Sequence, residues 1–432
     1  MNTETQFKPD ADPAAVGSIP TTELDQLLRD MIQSADGISD LLFVAGKPAQ
    51  MEVHGHLKPF APETVLTSAR IESLAKAIIN NNPRLIQDLA ETGSCYCSYS
   101  LRDVCRFRIN IFRQNGNHAM VLRRLQSQIP SMDSLQLAPV FREIIKEKTG
   151  LIFVTGGTGS GKTTTLAALL NEINQTTEAH IVTLEDPIEF LHPHNQATFS
   201  QRELGRDFYN FPAGLRAALR QAPKIILVGE IRDRETMEIA LTAGETGHVV
   251  YSTLHTISAG QTINRILGMF ERDEEQQVRA RLAETVRYIV SQRLVPKLGG
   301  GRLLITELMG SSLRTREVMM LGETDTRRLS DIIEAGSTTG WHSFEQSLIK
   351  AFEQNLVTEE TAMLFSINKS TMRQRLDLAT KRRDTNVIRH SLKMTEPEPP
   401  PAPVRKPMPV PTMPAPAGGE RKFPDPAKKP AA

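Results

Sequence analysis

A glycine-rich turn in the first half of the chain, Gly156 to Thr163, has the residue types and spacing that bind phosphates. Its letters, GGTGSGKT, match the pattern G-x-x-x-x-G-K-[ST] in full. Glycines let backbone N–H groups curl around phosphate oxygens, Lys162 reaches the β and γ phosphates, and the Thr163 hydroxyl is a Mg²⁺ ligand. An apolar run precedes the turn and a helical run follows it, which is the context that this motif needs. We therefore predict a site for ATP and Mg²⁺ formed by Gly156, Gly157, Thr158, Gly159, Ser160, Gly161, Lys162, Thr163 and Thr164.

Acidic residues follow two other apolar runs. Glu230 comes just after the run IILV in KIILVGE, and TLEDPIE places Glu185, Asp186 and Glu189 after another run. The carboxyl ends of parallel strands meet at the sheet edge where ligands bind. We predict that Glu230 is the general base, the alternative being a surface glutamate at a strand end. Glu185 and Glu189 suit a Mg²⁺-shell or water-orienting role, with Glu185 as the metal ligand, whereas Asp186 is as well explained by capping a turn.

Two histidines flank the predicted strand in HVVYSTLHT. His248 and His255 lie roughly 20 Å apart at the rise of an extended chain, so they cannot share a metal. We predict that His255, at the carboxyl end, approaches the γ phosphate or relays a contact to a neighbouring subunit; the alternative is a structural histidine. We take two further pairs as surface residues, His54 with His56 and His192 with His194.

Four arginines recur on predicted strands of the N-terminal part: Arg106, Arg108, Arg113 and Arg123. They suit a solvated face or a nucleic-acid surface. They also suit a third role, because the P-loop has no arginine of its own and an ATPase needs a cation to stabilise the charge that develops during hydrolysis. In that third role the arginines would be supplied by a neighbouring copy of the chain.

Composition restricts the classes of protein to which the chain can belong. Its 432 residues carry a formal net charge of +1, which implies no general attraction to nucleic acid or anionic membrane. No apolar run approaches the length of a bilayer-spanning helix and the N-terminus lacks the layout of a secretory signal, so we expect a cytosolic protein. The three cysteines, Cys95, Cys97 and Cys105, are too few and too closely spaced for a disulfide framework or a zinc site. We predict that they are buried or half-buried strand residues.

The periodicity predicts two folded regions. An amphipathic helix over residues 21–35, two strands around Gly46, a helix over 69–80 and three antiparallel strands over 95–125 indicate a small α+β domain. From about residue 150, apolar runs alternate with helical stretches, the last of them a helix over 275–292. This alternation is typical of an α/β domain whose mostly parallel sheet is covered by helices on both faces.

We divide the chain into four segments. Residues 1–18 form a disordered N-terminus, 19–128 the α+β domain and 129–375 the α/β domain with a closing helical bundle. Residues 376–432 are a basic and then proline-rich tail, in which 13 of the 27 prolines follow residue 396. Such a composition cannot bury a core, so we expect the tail to be disordered.

Four stretches together resemble the Walker A, Asp-box, Walker B and His-box motifs of the type II/IV secretion ATPase superfamily. They are GGTGSGKTTTLAAL, TLEDPIEF, LRQAPKIILVGEIRDRETMEIAL and ETGHVVYSTLHT. Two more stretches place the chain near the type IV pilus retraction ATPases of the PilT/PilU type: SDLLFVAGKPAQMEVHGHL and RFRINIFRQ. The resemblance covers about residues 20–375. The resemblance implies a homo-hexamer of RecA-like P-loop NTPase domains, each preceded by a PAS-like α+β domain, with ATP between subunits. It further implies phosphate and Mg²⁺ binding by Lys162 and Thr163, hydrolysis supported by Glu230 and Glu185, nucleotide sensing by His255, and trans-acting arginines at Arg108 and Arg123.

The function implied by this resemblance is an ATPase motor for type IV pilus retraction, that is, for pilus disassembly and twitching motility. Its partner is the inner-membrane platform protein of the pilus, which implies a cytoplasmic protein associated peripherally with the membrane at the pilus base. Secretion and pilus assembly ATPases remain the alternative, although they carry a four-cysteine zinc insertion and this chain has no cysteine after Cys105. A nucleic-acid motor is the least favoured, because few aromatic residues interleave the arginines.

Two departures from the family pattern bear on this function. Lys224 begins the Walker B strand where the family usually has aspartate, roughly 20 Å from Glu230, so we expect activity to be retained. SSLRTREVM, residues 311–319, replaces the AIRNLI-like stretch of PilT-type motors. Independent retraction is therefore open, and so is the role of a PilU-like accessory motor that works with a second retraction ATPase.

Overall fold

The structure, a computed structural model, describes residues 23–126 and 128–391. Within them the chain forms a six-stranded and then a seven-stranded sheet. Both sheets lie in one compact unit that ends at Ala379, and a second unit begins at Thr380. The predicted disordered segment 1–18 lies outside the described residues, and so does 392–432. The domain boundary at 128/129 stays a prediction.

The first sheet is antiparallel, with strand order β3-β2-β1-β6-β5-β4. Its strands are β1 (Ile38–Phe43), β2 (Gln50–Val53), β3 (His56–Pro59), β4 (Ser94–Leu101), β5 (Cys105–Gln114) and β6 (Asn117–Leu125). Its helices are α1 (Glu23–Gln33), α2 (Ser68–Ile79) and α3 (Pro83–Glu91). Alternate residues of β5, Phe107, Ile109 and Ile111, are buried against these helices.

The predicted α+β pattern of this region is confirmed, with two additions. Strand β3 was not predicted, and neither was α3, whose start is marked by Asn82 as N-cap and Pro83 at the first helical position. The cysteines are strand residues as predicted, with Cys95 and Cys105 buried and Cys97 half-buried.

The second sheet has the strand order β13-β12-β7-β11-β10-β8-β9 and is parallel except for the pair of β12 and β13. Its strands are β7 (Gly150–Thr155), β8 (His180–Glu185), β9 (Thr198–Glu203), β10 (Ile225–Val228), β11 (Val249–Leu254), β12 (Val286–Pro296) and β13 (Arg302–Gly310). Its helices are α4 (Phe141–Ile144), α5 (Lys162–Thr176), α6 (Phe211–Ala218), α7 (Arg234–Glu245), α8 (Ala259–Leu267), α9 (Glu275–Thr285), α10 (Leu313–Leu321) and α11 (Leu329–Ala335), followed by a 3₁₀ turn (Gly336–Thr339).

Both faces of this sheet are buried, as predicted. Leu151 and Phe153 of β7 pack in one apolar cluster, whereas Ile152 and Val154, which point the other way, pack in a second. One prediction here is wrong, because the helix expected over 275–292 ends at Thr285 and VRYIVSQ begins β12. These β-branched and aromatic residues pair in parallel with β7, and that tertiary pairing overrides a short helical pattern. Strands β9 and β13 were not predicted.

The closing bundle consists of α12 (Phe344–Glu353), α13 (Glu359–Phe365) and the first turns of α14 (Lys369–Ser391). The prediction of a disordered tail from residue 376 is wrong as far as residue 391, because α14 continues through it. Its first turns bury Met372, Leu376 and Ala379, which explains why the helix extends past the predicted boundary. None of the helices within 23–126 and 128–391 combines the length and apolar character needed to cross a bilayer.

Candidate nucleotide site

A pocket of about 350 Å³ lies at the carboxyl edge of the seven-stranded sheet. Four parallel strands end there side by side, since Thr155 pairs with Leu254, Ser252 with Val228, and Val228 with Leu184. Each strand is followed by a segment that lines the pocket. The lining residues include Lys162 and Thr163 after β7, Glu185, Asp186 and Glu189 at and after β8, Glu230 after β10, and His255 after β11.

The P-loop between β7 and α5 has a positive φ, which glycine adopts most readily, at Gly156, Gly159 and Gly161. Gly156 has φ +146°, and a Cβ there would lie 2.5 Å from the Ser160 Oγ and 2.6 Å from the Gln292 carbonyl oxygen. Gly161 has φ +90° and is the N-cap of α5. Lys162 Nζ donates to the carbonyls of Gly156 at 2.8 Å and Gly157 at 3.1 Å. Burial lowers the pKa of Lys162, against the opposite influence of Glu230 and Glu189.

The residues of this loop fit a phosphate group. Ser160 Oγ is buried and has no hydrogen-bond partner among the described residues, so the loop holds a polar atom that a ligand oxygen would satisfy. The loop leads into the N-terminus of α5, a 15-residue helix whose first N–H groups have no partner within the helix. The loop thus has the donors that an anionic phosphate requires.

The residues also fit Mg²⁺, although in a limited way. Thr163 and Glu185 bring a hydroxyl and a carboxylate to the same pocket, and both are hard oxygen donors. Within the described part of the chain no group of three or more His, Cys, Asp or Glu residues could hold a metal ion. Mg²⁺ is commonly bound by one or two side chains together with substrate phosphates, so two protein donors are sufficient.

Glu230 lies beside two cationic or ionisable partners. Arg232 donates to its Oε2 at 2.8 Å, and His255 Nε2 lies 3.2 Å from its Oε1. Burial by itself would raise the pKa of Glu230, but the hydrogen bonds and charges of Arg232 and His255 outweigh it, and the pKa lies below its ordinary value. Arg232 also lines the pocket and was not predicted as a site residue. Its position two residues after Glu230, in GEIRD, could have indicated that it lies close to the pocket.

Glu185, one strand away, has a different environment. It is buried and accepts hydrogen bonds from Thr183 Oγ1 at 2.7 Å and Gln201 Nε2 at 3.3 Å. Burial raises its pKa to about 7, more than these bonds lower it. Glu189 is half-buried and lines the pocket, and the exposed Asp186 does so as well.

The predicted arginines divide into three cases. Arg108 lines the pocket of its own chain. Arg123 does not line it, and its guanidinium donates to Asp40 Oδ1 at 2.9 Å. Arg106 is half-buried in an ion pair with the buried Glu203. That Arg108 and Arg123 act on a neighbouring copy stays a prediction.

The remaining histidines lie partly at the predicted surface positions and partly elsewhere. The prediction of a surface position is wrong for His192, which is half-buried, stacks on Phe199 with ring centroids 4.4 Å apart, and lines the pocket. Burial lowers its pKa to about 4. His54, His56 and His194 are exposed. His248 lies at the opposite end of β11 from the pocket, with its Nδ1 3.2 Å from the Ala243 carbonyl oxygen.

Comparison with known proteins places this geometry in context. Residues 52–302, which include all the pocket motifs named above, match the model of the family described as type II/IV secretion system protein. The chain is 38% identical over 326 residues to the type IV pilus retraction ATPase PilT of Pseudomonas aeruginosa, covering 76% of this chain and 93% of the relative. It is 34% identical over 360 residues to the type IV pilus ATPase PilU of the same organism, covering 83% and 92%.

A solved structure agrees with these sequence matches. The crystal structure of the pilus retraction motor PilT with bound ADP has a TM-score of 0.74 to this chain at 38% identity, covering 82% of this chain and 99% of that one. The predicted fold class, an α/β nucleotide-binding domain preceded by a small α+β domain, is thereby confirmed.

Proposed function

The chain belongs to the type II/IV secretion system protein family, and from this premise we propose that it is an ATP-hydrolysing motor that drives type IV pilus retraction. The observation that carries the proposal is the pocket at the sheet edge, where a complete P-loop meets two glutamates and a histidine from three other strand ends. The type IV pilus as the machine follows from the relatives, because PilT and PilU each match over more than nine-tenths of their length.

The P-loop holds the phosphates of ATP. Backbone N–H groups of the turn and of the first turn of α5 bind phosphate oxygens, and Lys162 exchanges its bonds to the Gly156 and Gly157 carbonyls for bonds to the β and γ phosphates. Thr163 and Glu185 are the residues that hold Mg²⁺, which when bound neutralises charge on the phosphates. Glu189 borders the same space and orients water there.

Glu230 takes the proton from the attacking water. Its lowered pKa keeps the carboxylate ionised at neutral pH, as a general base requires. His255 contacts the same carboxylate at 3.2 Å and lies 48% exposed at the mouth of the pocket. A histidine in this position senses the state of the nucleotide, because a change at the γ phosphate alters the contact between His255 and Glu230.

The charge that develops on the phosphates during hydrolysis needs further cations beside Lys162, and arginine is suited to this role. Arg232 is engaged by Glu230, and Arg108 lines the pocket from the N-terminal sheet. We propose that the chain assembles into a homo-hexamer in which arginines of the N-terminal sheet, Arg108 and Arg123, also serve the site of the next copy. The ion pair of Arg123 with Asp40 must then open or be shared when subunits assemble.

The hexamer works in the cytoplasm at the inner-membrane face of the pilus machine, where it turns a platform protein and is only peripherally attached to the membrane. A single motor and a PilU-like accessory to a second retraction ATPase both fit this arrangement. A nucleic-acid partner is not expected, given the net charge of +1.

ATPase assay and sizing of the purified protein test the enzymatic part. We expect a hexamer that hydrolyses ATP. In a Lys162→Ala variant we expect turnover to fall by about a hundredfold or more, because the phosphates of bound ATP lose the ammonium group of Lys162. Lys146→Ala is the matched control, since Lys146 is exposed just after α4 and, among the described residues, forms an ion pair with Glu143 alone. A monomeric wild-type protein without turnover would refute the motor.

A gene deletion tests the direction of action. Cells without a retraction motor should keep or gain surface pili and lose twitching, whereas loss of the pili would identify an assembly motor instead. Loss of twitching only in combination with deletion of a second retraction ATPase would identify the accessory role.

A further inference from the structure

An ion pair with little exposure to solvent joins the two sheets of the molecule. Arg106 of β5 donates to Glu203 Oε2, at the end of β9, across 3.2 Å, and the two side chains are only 12% and 7% exposed. The same guanidinium donates to the Ile188 carbonyl at 2.7 Å, and the Ile188 N–H donates back to Glu203 Oε2 at 3.3 Å. These three residues form a closed set of bonds, which we call the inter-sheet clamp.

On the N-terminal sheet, the residues of the clamp are strand neighbours of Arg108. Ser98 of β4 donates to Glu203 Oε1 at 2.5 Å. Ser98 stands directly opposite Arg108 in the pairing of β4 with β5, and Arg106 is two residues from Arg108 on the same strand. All three therefore lie on one face of the N-terminal sheet, and Arg108 extends from that face into the pocket.

On the seven-stranded sheet, the residues of the clamp are neighbours of the acidic residues that line the pocket. Ile188 lies between Asp186 and Glu189, both of which line the pocket. Glu203 is the register partner of Glu185 in the pairing of β9 with β8. The clamp thus bonds the strand that carries Arg108 to the backbone of the loop that carries the pocket acids.

We propose that Arg106 and Glu203 are positioning residues for the nucleotide site, which hold Arg108 of the N-terminal sheet at a set distance from the acidic loop. An ion pair between two packed surfaces carries a free-energy cost, because both charges must be desolvated. It also fixes geometry, since a guanidinium group and a carboxylate form hydrogen bonds at defined angles. The bonds here go to the loop backbone and so determine where the pocket acids lie. The proposal rests on the proposed ATPase function.

The test compares Arg106→Gln with Arg113→Gln. Arg113 is an exposed residue of the same strand and makes no ion pair within the described residues. We expect Arg106→Gln to lower kcat about tenfold, because small displacements of catalytic groups are costly, while ADP affinity from calorimetry stays within about threefold. Arg113→Gln should match wild type in both. Glu203→Gln should resemble Arg106→Gln, and the double variant should be no slower than the slower single one, because the residues act as one unit.

Two further variants keep the proposal testable if Arg106→Gln folds poorly. Ser98→Ala removes one hydrogen bond and no charge, and should lower kcat about twofold to threefold with an unchanged melting temperature. Arg106→Lys keeps the charge but cannot bond both Glu203 and Ile188, and should recover only part of the lost kcat.

The proposal is overturned if folded Arg106→Gln or Ser98→Ala retains wild-type kcat, or if kcat falls only in step with ADP affinity and melting temperature. Full recovery by Arg106→Lys would also overturn it, since charge alone would then suffice. If wild type and Arg113→Gln both fail to hydrolyse ATP, the proposed function fails, and this proposal with it.

Discussion

Strands β8 and β10 are parallel neighbours that each bring a glutamate to the same sheet edge, yet the two carboxyl groups have opposite environments. Glu185 is buried and accepts hydrogen bonds from the neutral side chains of Thr183 and Gln201, so burial dominates and raises its pKa to about 7. Glu230 is half-buried and meets Arg232 and His255, which bring its pKa below the ordinary value.

The difference shows that the end of a strand does not by itself determine what its acid can do. Groups whose environments push their pKa values apart take different roles in catalysis. At neutral pH the Glu230 carboxylate is ready to accept a proton, whereas Glu185 titrates close to neutrality. The contrast supports the proposal that the general base lies at the end of β10 and that the acid of β8 has a binding role.

The largest expected effect comes from removing the carboxylate of Glu230. Glu230→Gln should lower kcat about a thousandfold, because the amide cannot accept the proton of the attacking water. Steady-state hydrolysis with ATP measures the loss, and Glu178→Gln, an exposed glutamate remote from the pocket, serves as the control. If Glu185→Gln proved as damaging while Glu230→Gln retained turnover, the roles of the two strand ends would be reversed.

A smaller effect, on stability rather than turnover, is expected from Glu185. Its folded pKa of about 7 lies above the ordinary value of 4.5, so the wild-type protein loses stability as pH rises from about 4.5 to 7. The shift corresponds to about 3 kcal/mol at pH 8. Glu185→Gln keeps an oxygen for Thr183 and Gln201 and carries no charge, so it should melt above wild type at pH 8 and close to it at pH 5.

Melting curves of both proteins at the two pH values check this prediction. Burial also raises the pKa of Glu307 to about 7, but Glu307 is present in both proteins and cancels in the comparison. An equal difference in melting temperature at pH 5 and pH 8 would show that Glu185 ionises as an ordinary carboxylate.

The smallest effect is expected at the other end of β10. Lys224 is exposed, and its backbone N–H donates to the His180 carbonyl at the opposite sheet edge from Glu230. Lys224→Asp, which restores the usual residue of the family, should change kcat by less than about twofold, because four strand residues separate the position from the pocket. A rise of tenfold in the ATPase assay would mean that the charge at this end reaches the site.

Much of the site could be predicted from the sequence because its parts are local. The P-loop is one continuous stretch, and Glu230, Glu185 and His255 each stand at the end of a recognisable apolar run. The structure brings all of them to one pocket. Predictions failed where a short pattern was overridden by distant partners, as for β12, which pairs with β7, and for α14, which packs into the closing bundle.

By itself the sequence determined which residues lie at the carboxyl edge of the seven-stranded sheet, where the pocket is, since chain direction and strand ends follow from local periodicity. Only the tertiary structure decided what surrounds them. Gln201 reaches Glu185 from an edge strand that was not predicted, and Arg106 reaches the acidic loop from the other sheet, 82 residues from Ile188. Such contacts set the pKa values and positions of the acids, and they depend on how separate elements pack rather than on the order of neighbouring residues.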